Sequence, residues 1–338
     1  MQSLHLQKYI VREQVIDTIR AFFKNDGFNE VETPLLVQSP GTEPYLEVFA
    51  TKLELADGRN MPGYLLTSPE YAMKKLLVAG MSKIFTICKS FRNGEGIGPM
   101  HNHEFTILEW YRANADYEDI MVDCENLCIE VAKKVRTDFD SSYFNYLKRE
   151  FNLTPPWPKL SVTKLFETYV GVDVDTLTSD DLIAVATEKG LQAADWDDAF
   201  NLLLMNFIEP ELVKMNTPVF IYDYPIQQAA LAKRSAKDDR FAERFELYFA
   251  GIELANAFSE LTDANEQQQR FEQELALRKK LGKTEYKMDA AFIEALRSGM
   301  PESGGVALGV DRLIMIMANV PSIKDTLLFP IEELFDLD

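Results

Sequence analysis

The sequence predicts an α+β fold, a mixed and mainly antiparallel sheet flanked by helices. Three observations predict it. Strand-length apolar runs are separated by irregular helical segments, which favours a mixed sheet over a βαβ alternation. Asp57-Gly58 and Ala250-Gly251 each sit between two such runs and read as hairpin turns. The composition is globular: 338 residues, 46% hydrophobic and 26% charged, enough chain to bury a core without staples.

The elements follow in order. Ile10, Val11, Val15, Ile16, Ile19, Phe22 and Phe23 fall at helical spacing across 9–27, and Gly27 stops that helix. Residues 28–34 read as a short strand ending at Pro34, and 45–66 as a hairpin. Ser68 suits an N-cap with Pro69 at the first helical position, and Gly80 closes the helix. Strands at 84–91 and 104–111 make a long antiparallel pair around a glycine-rich loop. Residues 117–136 and 141–206 read as mostly helical, with a capping-box-like start at Thr178 and Asp181. Pro155, Pro156 and Pro158 form a stiff connector that marks an insertion boundary. A strand at 219–224 ends at Pro225, and 244–249 pairs with 252–258. Helices follow at 264–282 and 289–298. A glycine-rich strand at 304–309 then leads into a last helix, 310–319.

Charge narrows the function. Lys plus Arg is 35 against 54 Asp plus Glu, a net charge of −19. Nucleic-acid binders draw most of their affinity from neutralising phosphates, so a large nucleic-acid footprint is disfavoured. An anionic membrane surface is disfavoured on the same ground. Cys88, Cys124 and Cys128 are odd in number and lack a framework spacing, which suits a reducing cytosol. Cys124 and Cys128, four apart on a helix, read as core. Residues 1–9 lack the pattern of a signal peptide, and the longest apolar run, 313–318, is far short of a membrane span. The expected location is cytoplasmic.

Four constellations could carry chemistry. The first is Ser90-Phe91-Arg92-Asn93, a loop holding Glu95, then His101-Asn102-His103-Glu104-Phe105. An arginine at a strand end beside a glycine-rich loop suits a phosphate oxygen, through its paired charge-assisted hydrogen bonds. Alone, the motif favours the plainer reading of an ordinary ion pair. The second is Glu246, Glu253 and Glu260. With Ala250-Gly251 as a two-residue turn, Tyr248 opposes Glu253 and Glu246 opposes Ala255, so Glu246 and Glu253 lie diagonally on one face. They suit Mg²⁺, or else a solvated acidic face. The third is Gly309-Val310-Asp311-Arg312, where a first-turn arginine opposes the helix dipole unless an anion offsets it. The fourth is Glu70, Glu109 and Glu260 with Tyr111, which suits a cationic substrate if buried and is surface charge if not. His101 and His103 lack a third metal ligand at a recognisable spacing.

In this order, these stretches resemble the class II aminoacyl-tRNA synthetases, lysyl branch. The matching stretches are Thr67-Ser68-Pro69-Glu70-Tyr71, Phe91-Arg92-Asn93, His101-Asn102, Glu104-Phe105-Thr106 and Leu108-Glu109-Trp110-Tyr111. They continue through Arg244-Phe245-Glu246, Glu253-Leu254-Ala255-Asn256, Phe258 with Glu260-Leu261-Thr262-Asp263, and Gly309-Val310-Asp311-Arg312. The likeness spans about 9–330. Within the branch the chain looks most like the short ligases that attach lysine to elongation factor P. Lysyl-tRNA synthetases carry an anticodon-binding barrel ahead of the first catalytic helix, and here that helix begins near Tyr9. Ala307 stands where the synthetases usually have glycine.

The resemblance implies a single catalytic domain, 1–338, with a mostly helical insertion at about 113–215. It implies ATP and Mg²⁺. Arg92 would hold the α-phosphate and Arg312 the γ-phosphate end. Asn93, Glu95, His101, Asn102, Phe105, Leu254 and Gly309 would shape the nucleotide site, and Glu246 and Glu253 would bind the metal. Ser68, Pro69, Glu70, Glu109, Tyr111, Asn256, Glu260 and Ala307 would form the amino-acid pocket. Arg92, Arg312 and Glu253 are the expected catalytic set. Lysine, or (R)-β-lysine, would be the small substrate and elongation factor P the acceptor. A homodimer through 28–34 is implied, and tRNA is disfavoured. Gly94, His103 and Ala257 depart from the usual pattern, which touches loop closure and amino-acid choice. Two alternatives stand beside this reading. One is a minimal lysyl-tRNA synthetase. The other is a non-catalytic regulatory subunit, against which the presence of Arg92 and Arg312 counts.

Overall fold

The first apolar stripe forms helix α1 (Ser3–Asn25), which ends at Gly27 with φ at 78°. The computed structural model describes residues 3–140 and 142–336, with side chains from Tyr9 onward. The leader reading at residues 1–9 therefore lies partly outside the described residues. Then come β1 (Asn29–Glu30), β2 (Leu36–Val37), β3 (Ala50–Glu54) and β4 (Asn60–Leu65). Helix α2 (Glu70–Val78) precedes the long pair β5 (Lys83–Phe91) and β6 (Glu104–Ala113), and α3 (Tyr117–Val135) follows. Next are β7 (Tyr143–Tyr146), β8 (Arg149–Asn152) and β9 (Lys159–Ser161). Four helices, α4 (Val162–Leu165), α5 (Ser179–Glu188), α6 (Trp196–Leu203) and α7 (Glu209–Leu212), lead to β10 (Val219–Pro225). The acidic hairpin is β11 (Phe241–Phe249) and β12 (Ile252–Ser259). Helices α8 (Ala264–Lys280) and α9 (Ala290–Gly299), strand β13 (Ser303–Gly309) and helix α10 (Val310–Met317) follow.

Eight strands form one sheet in the order β1-β5-β6-β13-β12-β11-β10-β9. The β1–β5 and β10–β9 pairs are parallel and the rest antiparallel, so the sheet is mixed and mainly antiparallel as expected. Period-two alternation sorts its faces. Leu108, Trp110, Val306, Leu308, Ala255 and Ala257 are buried in the core under α1, α3 and α10, where Val15, Ile19, Cys124 and Cys128 also sit. Tyr71, Phe271 and Phe292 join α2, α8 and α9 in a further core. A third packs Val162, Phe166, Trp196, Phe200 and Leu203 on Ile221, Tyr224 and Tyr248 of β10 and β11. No helix among the described residues is long and apolar enough to cross a membrane.

Three local expectations need correction. Residues 143–161 form strands, not helix. Tyr143 to Tyr146 alternates exposed and buried, a period-two signal. Its turn is Leu147-Lys148, both at positive φ (47° and 66°), so no glycine or asparagine marked the hairpin. Helix α2 starts one residue late, with Pro69 as N-cap and Ser68 Oγ accepting the Glu70 N–H at 3.2 Å. In the β11–β12 hairpin Tyr248 does oppose Glu253, but a bulge at Leu254 makes Glu246 oppose Asn256, not Ala255.

The turn of that hairpin packs against Val213, just after α7. Ala250 and Gly251 have φ of 56° and 77°. A Cβ on Gly251 would stand 2.3 Å from Val213 Cγ2 and 2.9 Å from Val213 Cα. Gly251→Ala is therefore expected to destabilise the fold by about 1–3 kcal/mol, through overpacking and left-handed strain. Urea unfolding checks this, and an unchanged midpoint would show that the seat yields.

Candidate active site

The sheet face away from α1 and α3 presents a row across four strands: Glu109 on β6, Ala307 on β13, Asn256 on β12 and Glu246 on β11. The bulge at Leu254 makes this row. Without it Asn256 would oppose Phe245 and face the core. A second row runs Tyr111, Gly305, Phe258, Arg244. A cavity of about 350 Å³ lies over these rows, closed by the N-terminus of α2, the 92–105 segment and the start of α10.

Most of the expected site residues line this one cavity: Ser68, Glu70, Arg92, Glu95, His101, Asn102, Phe105, Glu109, Tyr111, Glu253, Leu254, Asn256, Glu260, Ala307, Gly309 and Arg312. Three do not. Pro69 lines an adjoining cavity. Asn93 shapes the loop, its Oδ1 accepting the Gly94 N–H at 2.9 Å. Glu246 is buried on the same sheet face, beside the lining residue Asn256 but outside the lining itself.

One end is cationic. The Arg92 guanidinium lies over the Phe105 ring at 5.1 Å, is 3.7 Å from Glu95 Oε1, and has a buried Nε with no hydrogen-bond partner. Arg312 Nη1 donates to the Glu253 carbonyl at 2.7 Å, and its Nη2 is 3.3 Å from His101 Nε2. Burial and Arg312 push the His101 pKa down. Neighbouring Asp311 is structural. It pairs with buried Arg12 at 2.6 Å and accepts the Thr106 N–H at 2.7 Å, fixing α10 to α1 and β6.

The other end is anionic. Glu109 is fully buried, with Ser68 Oγ and Tyr111 Oη (2.9 Å) donating to its two oxygens. Burial, then the Glu70 charge, raises its pKa to about 8. Burial likewise raises Glu260, against the pull of Lys74. Lys74 Nζ lies 2.5 Å from both Glu70 Oε1 and Glu260 Oε2, while Glu260 Oε1 is buried with no hydrogen-bond partner. A Cβ on Gly305 would meet that Oε1 at 2.2 Å and Tyr111 Cε1 at 2.3 Å, so glycine admits both groups to one layer.

Glu246 accepts from Arg244 Nη2 at 2.7 Å and from Tyr248 Oη at 3.0 Å. Burial and the Glu253 charge raise its pKa. Among the described residues no three or more His, Cys, Asp or Glu side chains gather closely enough to hold a metal by themselves. The mutual repulsion of Glu246 and Glu253 fits a hard cation that takes one or two protein carboxylates and completes its shell with phosphates and water.

A cavity with two guanidinium groups at one end and carboxylates at the other suits a substrate pair of polyanion and amine. The family described as tRNA synthetases class II (D, K and N) matches residues 3–333. The chain belongs to this family. Among curated class II relatives, the elongation factor P (R)-β-lysine ligase of Avibacterium paragallinarum is 40% identical over 330 residues, covering 97% of this chain and 96% of the relative. The corresponding ligase of Pasteurella multocida is 39% identical over 98% of this chain and 97% of its own. The lysine–tRNA ligase of Oceanobacillus iheyensis is 38% identical over 95% of this chain, which spans 64% of that relative.

Four side chains of this class II site carried no role in the sequence reading. Lys74 has a signal, since it stands four residues after Glu70 on one helix face. Arg244 binds Glu246 and donates to Asn256 Oδ1 at 3.2 Å. Arg12 braces Asp311. Glu43 lines the cavity on a loop whose carbonyls at Glu43 and Leu46 accept from buried Arg278 (2.7 and 2.6 Å). Its sequence context gave no signal.

Proposed function

We propose that the protein is an ATP-dependent ligase that activates lysine, (R)-β-lysine in preference, as an adenylate and transfers it to a lysine side chain of elongation factor P. The observation that carries this reading is the two-ended cavity, on a chain similar over almost its full length to ligases of that name. In the first step a carboxylate oxygen of the amino acid attacks the α-phosphorus and pyrophosphate leaves. In the second the acceptor amine attacks the adenylate carbonyl, AMP leaves, and the amine loses a proton. No protein nucleophile is required.

The chain's part is positioning and charge neutralisation. Arg92 holds the α-phosphate, and its hydrogen bonds strengthen as negative charge builds on the oxygens of the five-coordinate phosphorus. Arg312 holds the γ-phosphate end. Phe105 stacks on the base beside His101 and Asn102. Glu253 and Glu246 would hold Mg²⁺, which when bound neutralises phosphate charge. Glu70, Glu109, Glu260, Tyr111 and Asn256 bind the lysine, and the carboxylates take its two amino groups. The Ala307 methyl, between Glu109 and Asn256 in the row, trims the pocket floor. One methyl is worth about 1–3 kcal/mol of discrimination. The segment 28–34 forms a homodimer contact, and the protein works in the cytoplasm.

Amino-acid-dependent pyrophosphate exchange with α-lysine, β-lysine and neither, followed by labelling of purified elongation factor P, tests this. Exchange with a lysine and labelling of the protein are expected. Exchange with neither isomer would sink the proposal. Exchange with α-lysine and charging of tRNA would replace it by the synthetase reading.

A further inference from the structure

Lys74 is a buried cation at the anionic end of the cavity that no step above uses. Its side chain is 1% exposed, and its Nζ lies 2.5 Å from one oxygen of Glu70 and 2.5 Å from one of Glu260. Neither Glu260 oxygen has a hydrogen-bond partner, so the Lys74 ion pair is what holds this carboxylate, and Glu70 and Glu260 both line the cavity. A buried ammonium with two carboxylate partners holds both in one orientation, because leaving it would strand a desolvated charge. It also sets the charge of this end. Glu70, Glu109 and Glu260 bring three negative charges when ionised, and Lys74 leaves two. That balance matches two substrate ammonium groups. Without Lys74 the same end would call for a third. Glu43 also lines the cavity and feels the Glu70 charge, but two arginines, Arg92 and Arg278, oppose it, so it adds no uncompensated charge to this count.

We propose that Lys74 is a positioning residue that aims Glu70 and Glu260 into the cavity and fixes the charge balance that selects a diamino acid. The proposal rests on the lysine-activating reading above. In that reading Lys74 occupies the place of an extra ammonium permanently, so the substrate binds to carboxylates already turned toward it.

The test uses the full chain in pyrophosphate exchange with whichever lysine isomer the wild type accepts. A wild type that uses neither isomer defeats the functional reading itself, and so is distinguishable from failure here. Lys74→Met keeps the length and removes the charge. It is expected to raise KM for the amino acid at least about tenfold and leave KM for ATP near the wild-type value. Lys74→Ala opens room for what it lacks. Added n-propylammonium is expected to restore its exchange saturably, while n-propanol, of the same size without charge, restores nothing. Neither additive should help Lys74→Met. The proposal is overturned if Lys74→Met keeps the wild-type KM, if both KM values rise together, or if propanol rescues as well as propylammonium. Failure of both variants to melt cooperatively would assign Lys74 to the fold alone and overturn it too.

Discussion

Replacing Glu109 by glutamine should stabilise the folded chain and weaken its use of lysine by about two to three orders of magnitude. Glu109 is fully buried, and its pKa stands near 8 against an ordinary 4.5. The folded chain therefore holds a proton that the unfolded chain has lost anywhere between about pH 4.5 and 8. A group with a raised folded pKa contributes stability that is present below the unfolded value and lost as pH rises through the folded one. This contribution should fade across that window, and a glutamine, which does not ionise, should remove the fade. Thermal melts at pH 6 and 8 check this: the variant's Tm should exceed the wild type's most at pH 8. The cost falls on binding. An amide offers no counter-charge to a desolvated ammonium, and removing one partner of a buried charged hydrogen bond costs roughly 2–5 kcal/mol. KM for the amino acid should rise by about 10²–10³-fold, the middle of that range. Calorimetry in two buffers of different ionisation enthalpy should show protons released as lysine binds the wild type below pH 8, and fewer for the variant. An unchanged KM would remove Glu109 from the pocket.

Arg92→Met should lower kcat for exchange by about 10²–10³-fold, as expected for a preorganised donor aimed at charge that grows in the transition state. The structure supplies a reason to expect a clean effect. The guanidinium has one long ion pair, to Glu95 at 3.7 Å, and one stacked ring, so little of the fold depends on it. The Tm should stay near the wild-type value, and KM for lysine should change little because the amine end is untouched. Arg92→Lys should not restore the rate, since a point charge lacks the planar fork. Exchange near the wild-type rate in Arg92→Met would take the residue out of the chemistry.

Much of the fold was legible because its signals are local. The β5–β6 pair, the capping box at Thr178 and the Ala250-Gly251 turn each declare themselves within a few residues. What stayed hidden was non-local or unsigned. The β7–β8 turn uses Leu147 and Lys148, which carry no turn signature. The bulge at Leu254 has no glycine to announce it, yet it decides which way Asn256 points. Of the site, motifs gave the residues that meet in the cavity. They could not give the brace behind them, because the meeting of Arg12 with Asp311 depends on packing between opposite ends of the chain.

The strand order carries a consequence for synthesis. Strand β13 lies between β6 and β12 in the middle of the sheet, yet among the described residues it comes last of the strands in the chain. A nascent chain lacking it holds two half-sheets, β1-β5-β6 and β12-β11-β10-β9, each with an open central edge. Open edges invite pairing with other chains. Arg312 follows β13 by three residues, so the cavity gains its second guanidinium just after the strand that joins the two halves. The sheet and the site are thus completed almost together, and a fragment ending before residue 303 would expose both edges to pairing with other chains.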